Sequence, residues 1–164
     1  MSSPSPVPKL SELLTENTIL VNASASDWKD AVRKAGELLV NIDAAEPRYI
    51  NAMIKFCEEH HAYIVIAPGI AILHARPEDG MKRVGFSLVT LKKPVYFGHA
   101  KNDPVDLVVA LGGPDDSSHI KALAQLAKLL SNNEVGEKVR KARQKEEILE
   151  LLPKGEEASE ATST

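Results

Sequence analysis

The sequence predicts an α/β fold: a single domain with a central mixed β-sheet flanked by helices on both faces. Short apolar runs of strand length, TILVN, RVGFSLVTL and VDLVVAL, alternate along the chain with segments apolar at helical spacing. The run VDLVVAL is nearly continuous in apolar residues, as in a strand covered on both faces. A chain of 164 residues with polar ends has room for one core, not two.

Residues 1–9 (MSSPSPVPK) read as a flexible lead-in and residues 153–164 as a disordered acidic tail, which leaves 10–152 as the folded domain. Residues 10–14 suit a short helical turn and 18–22 a first strand. A helix over about 26–40 follows, with Ser26 as its N-cap and Asp27 and Asp30 at the positive end of its dipole. Its apolar stripe includes Trp28, Val32, Ala35 and Leu39, so Trp28 reads as core. Pro47 fits the first position of the next helix, where its missing N–H costs nothing. Ile50, Met53, Ile54 and Cys57 form that helix's stripe, and Cys57 reads as a structural thiol. His60 and His61 end it and read as surface residues, since adjacent histidines lack the i, i+4 spacing of a helical metal site.

The run Ala67-Pro68-Gly69-Ile70-Ala71-Ile72-Leu73-His74-Ala75-Arg76 holds the chemistry. A regular strand over 70–76 places Ile70, Ile72, His74 and Arg76 on one face, making a nucleophile and a cation neighbours. A strand over 83–91 follows, broken at Lys92-Lys93-Pro94, with another short one starting at Val95. His99 reads as a solvated loop residue. After the strand over 105–111, Asp115, Asp116, Ser117 and Ser118 offer caps for a helix to about Leu130. Ile120, Leu123, Ala127 and Leu130 form its buried stripe, and His119 falls in its first turn. Further helices begin near Asn133 and Gln144.

A net charge of -3 with interspersed signs offers no field for a nucleic-acid backbone. One cysteine, Cys57, cannot form an internal disulfide, and no secretory or membrane-spanning run is present, so a cytoplasmic location is expected. No Gly-rich phosphate loop and no Cys/His metal spacing occurs.

Binding sites of open α/β sheets gather where strands end and helices begin, which makes His74 and His119 candidates for one shallow site. A neutral imidazole is a competent nucleophile near neutral pH and can accept a phosphoryl group. Such transfer needs donors spread over the phosphoryl oxygens, and Arg76, His119 and the N–H groups starting the Ser117 helix could supply them. Spacing alone favours a plainer account, in which His74 caps a strand and Arg76 is a solvated charge.

On the residues APGIAILHARPEDG, GFSLVTLKKPV, NDPVDLVVAL, HIKALAQLAKLL and EEILELL, the chain resembles the enzyme IIA proteins of the phosphoenolpyruvate-dependent sugar phosphotransferase system. The resemblance is to the mannitol/fructose group, most of all its ascorbate-specific branch. It covers residues 10–152. It implies the fold of that group, with His74 as phosphoryl acceptor and His119 as a second histidine that binds the phosphoryl group without carrying it. It further implies the phosphohistidine carrier HPr as donor, a IIB component as acceptor and a membrane IIC component downstream, with no metal or organic cofactor. A regulatory module on the same fold, controlling a partner through its phosphorylation state, is the alternative.

Three positions depart from the family pattern. Leu73 stands where Pro commonly precedes the active histidine. Phe56 stands where the mannitol branch has an Arg on the preceding helix, and Pro68 where it has an acid. Arg76 is the expected substitute for the missing positive charge.

Overall fold

The computed structural model describes residues 8–60, 64–99 and 101–153. The expectations for the lead-in, the tail and His61 therefore lie outside the described residues, apart from Pro8, Lys9 and Pro153. A five-stranded mixed sheet forms the centre, in the order β1-β4-β5-β3-β2. Strand β1 (Ile19–Ala23) pairs parallel with β4 (Gly85–Val95), and β4 pairs antiparallel with β5 (Val105–Gly112). Strand β5 pairs parallel with β3 (Ile70–Leu73), and β3 pairs antiparallel with the edge strand β2 (Val65–Ala67).

Alternation along the strands divides the core in two. Ala71, Leu73, Val89, Val108 and Ala110 face one layer, with Ala31, Val32, Ala35 and Leu39 of helix α2 (Trp28–Asn41) and Tyr49, Met53 and Cys57 of α3 (Arg48–Glu59). Ile70, Ile72, Leu88, Leu107 and Val109 face the other. There they meet α1 (Leu10–Leu13), α4 (Ile120–Ser131), α5 (Asn133–Lys141) and α6 (Lys145–Leu149). Helices on both faces are thus present, as the apolar run of β5 requires. The Ser87 hydroxyl, buried on β4, donates to Ala35 O at 2.7 Å and ties α2 to the sheet.

Several elements differ from expectation. The N-cap of α2 is Asp27, whose carboxylate accepts from Asp30 N–H at 2.8 Å, while Ser26 N–H donates to Asp30 at 2.9 Å. Strand β4 continues through Lys92-Lys93-Pro94 because the pairing with β5 loses register between Thr90 and Val95, and a proline is tolerated at such an irregularity. Cys57 is buried, and loss of solvent pushes its thiol up to about 12, so it is inert. His99 is not merely solvated: its Nδ1 accepts from Lys101 N–H at 3.2 Å and Asn102 N–H at 3.0 Å, closing the loop before β5.

On α4 the buried positions are Ala122 and Leu126, and Ile120 is 55% exposed. Leu123, Ala127 and Leu130 line an apolar groove with Ile66, Ala67, Ile70 and Ile72. The helix therefore rests on the sheet by its small residue and Leu126, with the expected stripe at its flank. Among the described residues, no helix is long and apolar enough to cross a membrane.

Candidate phosphoryl site at the ends of two parallel strands

Strands β3 and β5 run parallel with Leu73 opposite Ala110, so they end on the same edge of the sheet. Each delivers one histidine there. His74 follows Leu73 directly. Strand β5 runs two residues further to Gly112, and the loop from Gly113 returns as His119, the N-cap of α4. A Cβ built on Gly113 would lie 3.6 Å from His119 Nδ1, so the imidazole rests near the end of β5.

The strand carrying His74 stops at Leu73 instead of continuing to Arg76. Ala75 N–H donates to the Tyr49 hydroxyl at 3.0 Å, and that hydroxyl donates to Leu111 O at 2.8 Å. Tyr49 thus takes the place of a sheet partner and bridges the exits of β3 and β5. Its burial pushes the phenol up to about 12, so the hydroxyl keeps its proton. Downstream, Pro77 lacks an N–H and starts a 3-10 turn, Pro77–Asp79. Asp79 accepts from Arg76 N–H at 2.9 Å, closing that turn. Leu73 is fully buried and is the last residue of β3 to pair with β5. A residue with an N–H in place of proline here lets β3 remain regular up to the histidine.

Leaving the strand also breaks the alternation. Ile70 and Ile72 face the α4 side, yet the His74 ring packs on Phe56 of α3, with centroids 4.9 Å apart. The same Phe56 ring contacts His60, the C-cap of α3, at 4.5 Å. Phe56, the position at which the resemblance implies an arginine in the mannitol branch, is therefore the surface against which His74 lies. The pKa of His74 is held below the ordinary 6.5, first by loss of solvent around the ring, then by the charges of His119 and His60. The imidazole is accordingly neutral at pH 7 and keeps a free lone pair. An NMR titration of the ring should find its midpoint below 6.5, and the rate of phosphoryl acceptance should hold level on acidification until that midpoint is passed. A midpoint at or above 6.5 would contradict this packing. For stability the sign is adverse on the acid side: the unfolded chain takes up this proton first, so stability falls as pH drops below 6.5 toward the folded midpoint.

Arg76 is placed elsewhere than the two-residue period implied. Its side chain is 71% exposed and its guanidinium turns to Asp79, with Nε and Nη2 each 3.3 Å from the carboxylate. The N–H groups of Ser117 and Ser118 are also committed. Asp115 accepts from both, at 2.9 and 2.7 Å, and its carboxyl falls to about 2 through these and the Ser118 hydroxyl. The helix begins at Ile120, so the expected donors at Ser117 serve the turn and not a ligand. Asp115 holds the turn that presents His119. His119 Nδ1 itself is buried with no hydrogen-bond partner among the described residues, a condition that costs about 1–3 kcal/mol in a folded protein.

The arrangement brings together a neutral, nucleophilic imidazole and a second imidazole on the neighbouring strand exit. Sequence reasoning missed Tyr49 and His60. The signal for Tyr49 was faint, a polar-tipped aromatic one residue before Ile50 on an amphipathic helix. The signal for His60 was its place at the end of the helix that carries Phe56. Among the described residues, no three His, Cys, Asp or Glu side chains are grouped to hold a metal ion.

The fold and the sequence have known relatives. Residues 12–155 match the family model of the phosphoenolpyruvate-dependent sugar phosphotransferase system, EIIA 2. The ascorbate-specific PTS system EIIA components of Shigella boydii and Escherichia coli K12 are each 42% identical over 146 residues, covering 88% of this chain and 95% of theirs. The solution structure of the mannitol-specific cryptic phosphotransferase enzyme IIA of Escherichia coli superposes with a TM-score of 0.78 at 32% identity, covering 88% of this chain and 97% of that one. Enzyme IIA of the Escherichia coli mannitol system, solved in complex with phosphorylated enzyme IIB, gives 0.74 at 25% identity, covering 85% and 97%. The chain belongs to the EIIA 2 family of the phosphoenolpyruvate-dependent sugar phosphotransferase system.

Proposed function

We propose that this chain is a cytoplasmic phosphocarrier that accepts a phosphoryl group from phospho-HPr on His74 and passes it to a cognate IIB component. The observation that carries the reading is the pairing of His74, held neutral at a strand exit, with His119 on the adjacent parallel strand exit. A lone pair of the His74 ring attacks the phosphorus, a new N–P bond forms, and the electrons of the donor's N–P bond return to the donor imidazole. The reverse steps deliver the group to IIB. No cofactor takes part.

His119 binds a phosphoryl oxygen. With nothing beside its buried Nδ1 to accept a hydrogen bond, the proton is favoured on Nε2, which is then a donor toward the site. Arg76 can leave Asp79 for the incoming charge, since that ion pair is exposed and such pairs contribute about 0–1 kcal/mol. The high identity to ascorbate-specific relatives supports L-ascorbate uptake through a membrane IIC component, and it favours transport over a purely regulatory role.

The test is a relay assay with phosphoenolpyruvate, enzyme I and HPr, followed by addition of the IIB protein. The chain should become labelled and then lose its label to IIB; absence of label with the cognate carrier would end the proposal. His119→Ala should still accept the group, about 100-fold more slowly, the loss expected for one donor to a charged transferring group. A normal rapid-quench rate would remove His119 from the mechanism.

A further inference from the structure

The phosphoryl site has a nucleophile and a donor, and in the resting chain its nearby arginines lie on other partners. Arg76 lies on Asp79 at 3.3 Å, and Arg48 is held by Glu46 at 2.6 Å and by Glu78 O at 2.9 Å. The group that shares Phe56 with His74 is another imidazole. His60 contacts the Phe56 ring at 4.5 Å between centroids, His74 contacts it at 4.9 Å, and the two lie tilted to it by 40° and 46°.

Resting on the phosphocarrier reading, we propose that His60 is the positioned cation of the phosphoryl site, carrying its charge beside the Phe56 ring to face the phosphoryl group on His74. The two imidazoles already sense each other, because the charge of His60 is one cause of the lowered pKa of His74. Before transfer, loss of solvent around the His74 ring, with a smaller push in the same direction from His119 and His60, holds its pKa below the ordinary value and keeps it nucleophilic. Transfer adds a phosphoryl group with its negative charge, and the same neighbours then favour it. His60 takes its proton from solvent, so no further reactant is needed. Among the described residues, the Phe56 ring lies 4.5 Å from the His60 ring, the Glu59 carboxylate lies 3.9 Å from its Nε2, and His74 senses its charge.

Position explains why a histidine serves here. His60 caps the C-terminal end of α3, where the helix dipole also favours a cation.

The experiment compares the parent with His60→Gln and His60→Lys. Intact mass gives the phosphorylated fraction at equilibrium with phospho-HPr, and initial rates give kcat and KM. His60→Gln should lower the transfer equilibrium constant about 5- to 10-fold, mostly in kcat with KM for phospho-HPr little changed, and His60→Lys should restore it. In the unphosphorylated chain, NMR should show the His74 titration midpoint rising in His60→Gln. An unchanged equilibrium in His60→Gln, a loss that lysine does not repair, or a fixed His74 midpoint overturns the assignment. A parent chain that takes no phosphate overturns the phosphocarrier reading itself, and this outcome is visible before any His60 variant is measured.

Discussion

His74→Ala is expected to abolish phosphoryl uptake in the relay assay while leaving the fold intact. The side chain lies beyond the end of β3, with its ring against Phe56 and the rest open to solvent. Truncation therefore opens little cavity, and the thermal midpoint should move by no more than a few degrees, about 2–4 °C per kcal/mol in a domain of this size. Activity has no such reserve. In a phosphoryl relay the nucleophile holds the group covalently, so no other interaction can substitute for it. His74→Gln is the stricter variant, since it keeps a polar side chain of similar reach and still cannot carry the group. Labelling of either variant at the parent rate, read by intact mass, would place the acceptor elsewhere.

Gly112→Ala is the second large effect, and it acts on the scaffold. A Cβ at this position would stand 2.5 Å from the Tyr49 hydroxyl, 2.7 Å from Met81 Cγ and 2.8 Å from Met81 Sδ. Methionine can move aside. The Tyr49 hydroxyl cannot, because it is held between Ala75 N–H and Leu111 O. Displacing it leaves two buried backbone groups without partners, and overpacking adds its own strain, so a loss of about 2–4 kcal/mol is expected. Transfer should slow as well, since the hydroxyl fixes the exit of His74 relative to the strand that leads to His119. Tyr49→Phe removes the hydroxyl without the clash, and its loss should be about 1–3 kcal/mol. The double variant should lose less than the sum, because the phenylalanine has no oxygen for the new methyl group to strike. Additive losses in chemical denaturation would show that Gly112 and Tyr49 do not share this contact.

Much of the architecture was legible because it rests on periodicity. The alternation in β4, the nearly continuous apolar run of β5 and the helical stripes of α2 and α3 specify an α/β domain with a mixed sheet. Boundaries failed where a local competitor intervened. Asp27 replaced Ser26 as a cap, Asp115 drew in the Ser117 and Ser118 N–H groups that had been assigned to helix and ligand, and the slip in pairing carried β4 past Pro94. The stripe of α4 shifted because Ala122 and Leu126 are the residues it buries in the core, a tertiary choice that helical spacing does not encode.

The site was partly legible for the same reason. His74 and His119 stood out by their places at a strand end and a helix start, and parallel pairing of β3 with β5 brings those places to one edge. The period of two was extended too far at Arg76, since Pro77 and Asp79 turn the chain after Ala75. Tyr49, Phe56 and His60 come from a helix distant in sequence from the strand exits they adjoin, and no local pattern announces such contacts.

Mapping the phosphorylated residue tests the central claim most directly. The chain is charged with phosphoenolpyruvate, enzyme I and HPr, digested at neutral to alkaline pH to preserve phosphohistidine, and sequenced by mass spectrometry. One acid-labile phosphoryl group on His74, absent from His74→Ala, is the predicted result. A phosphoryl group on His119, His60 or any other residue, with His74 unmodified, would contradict it.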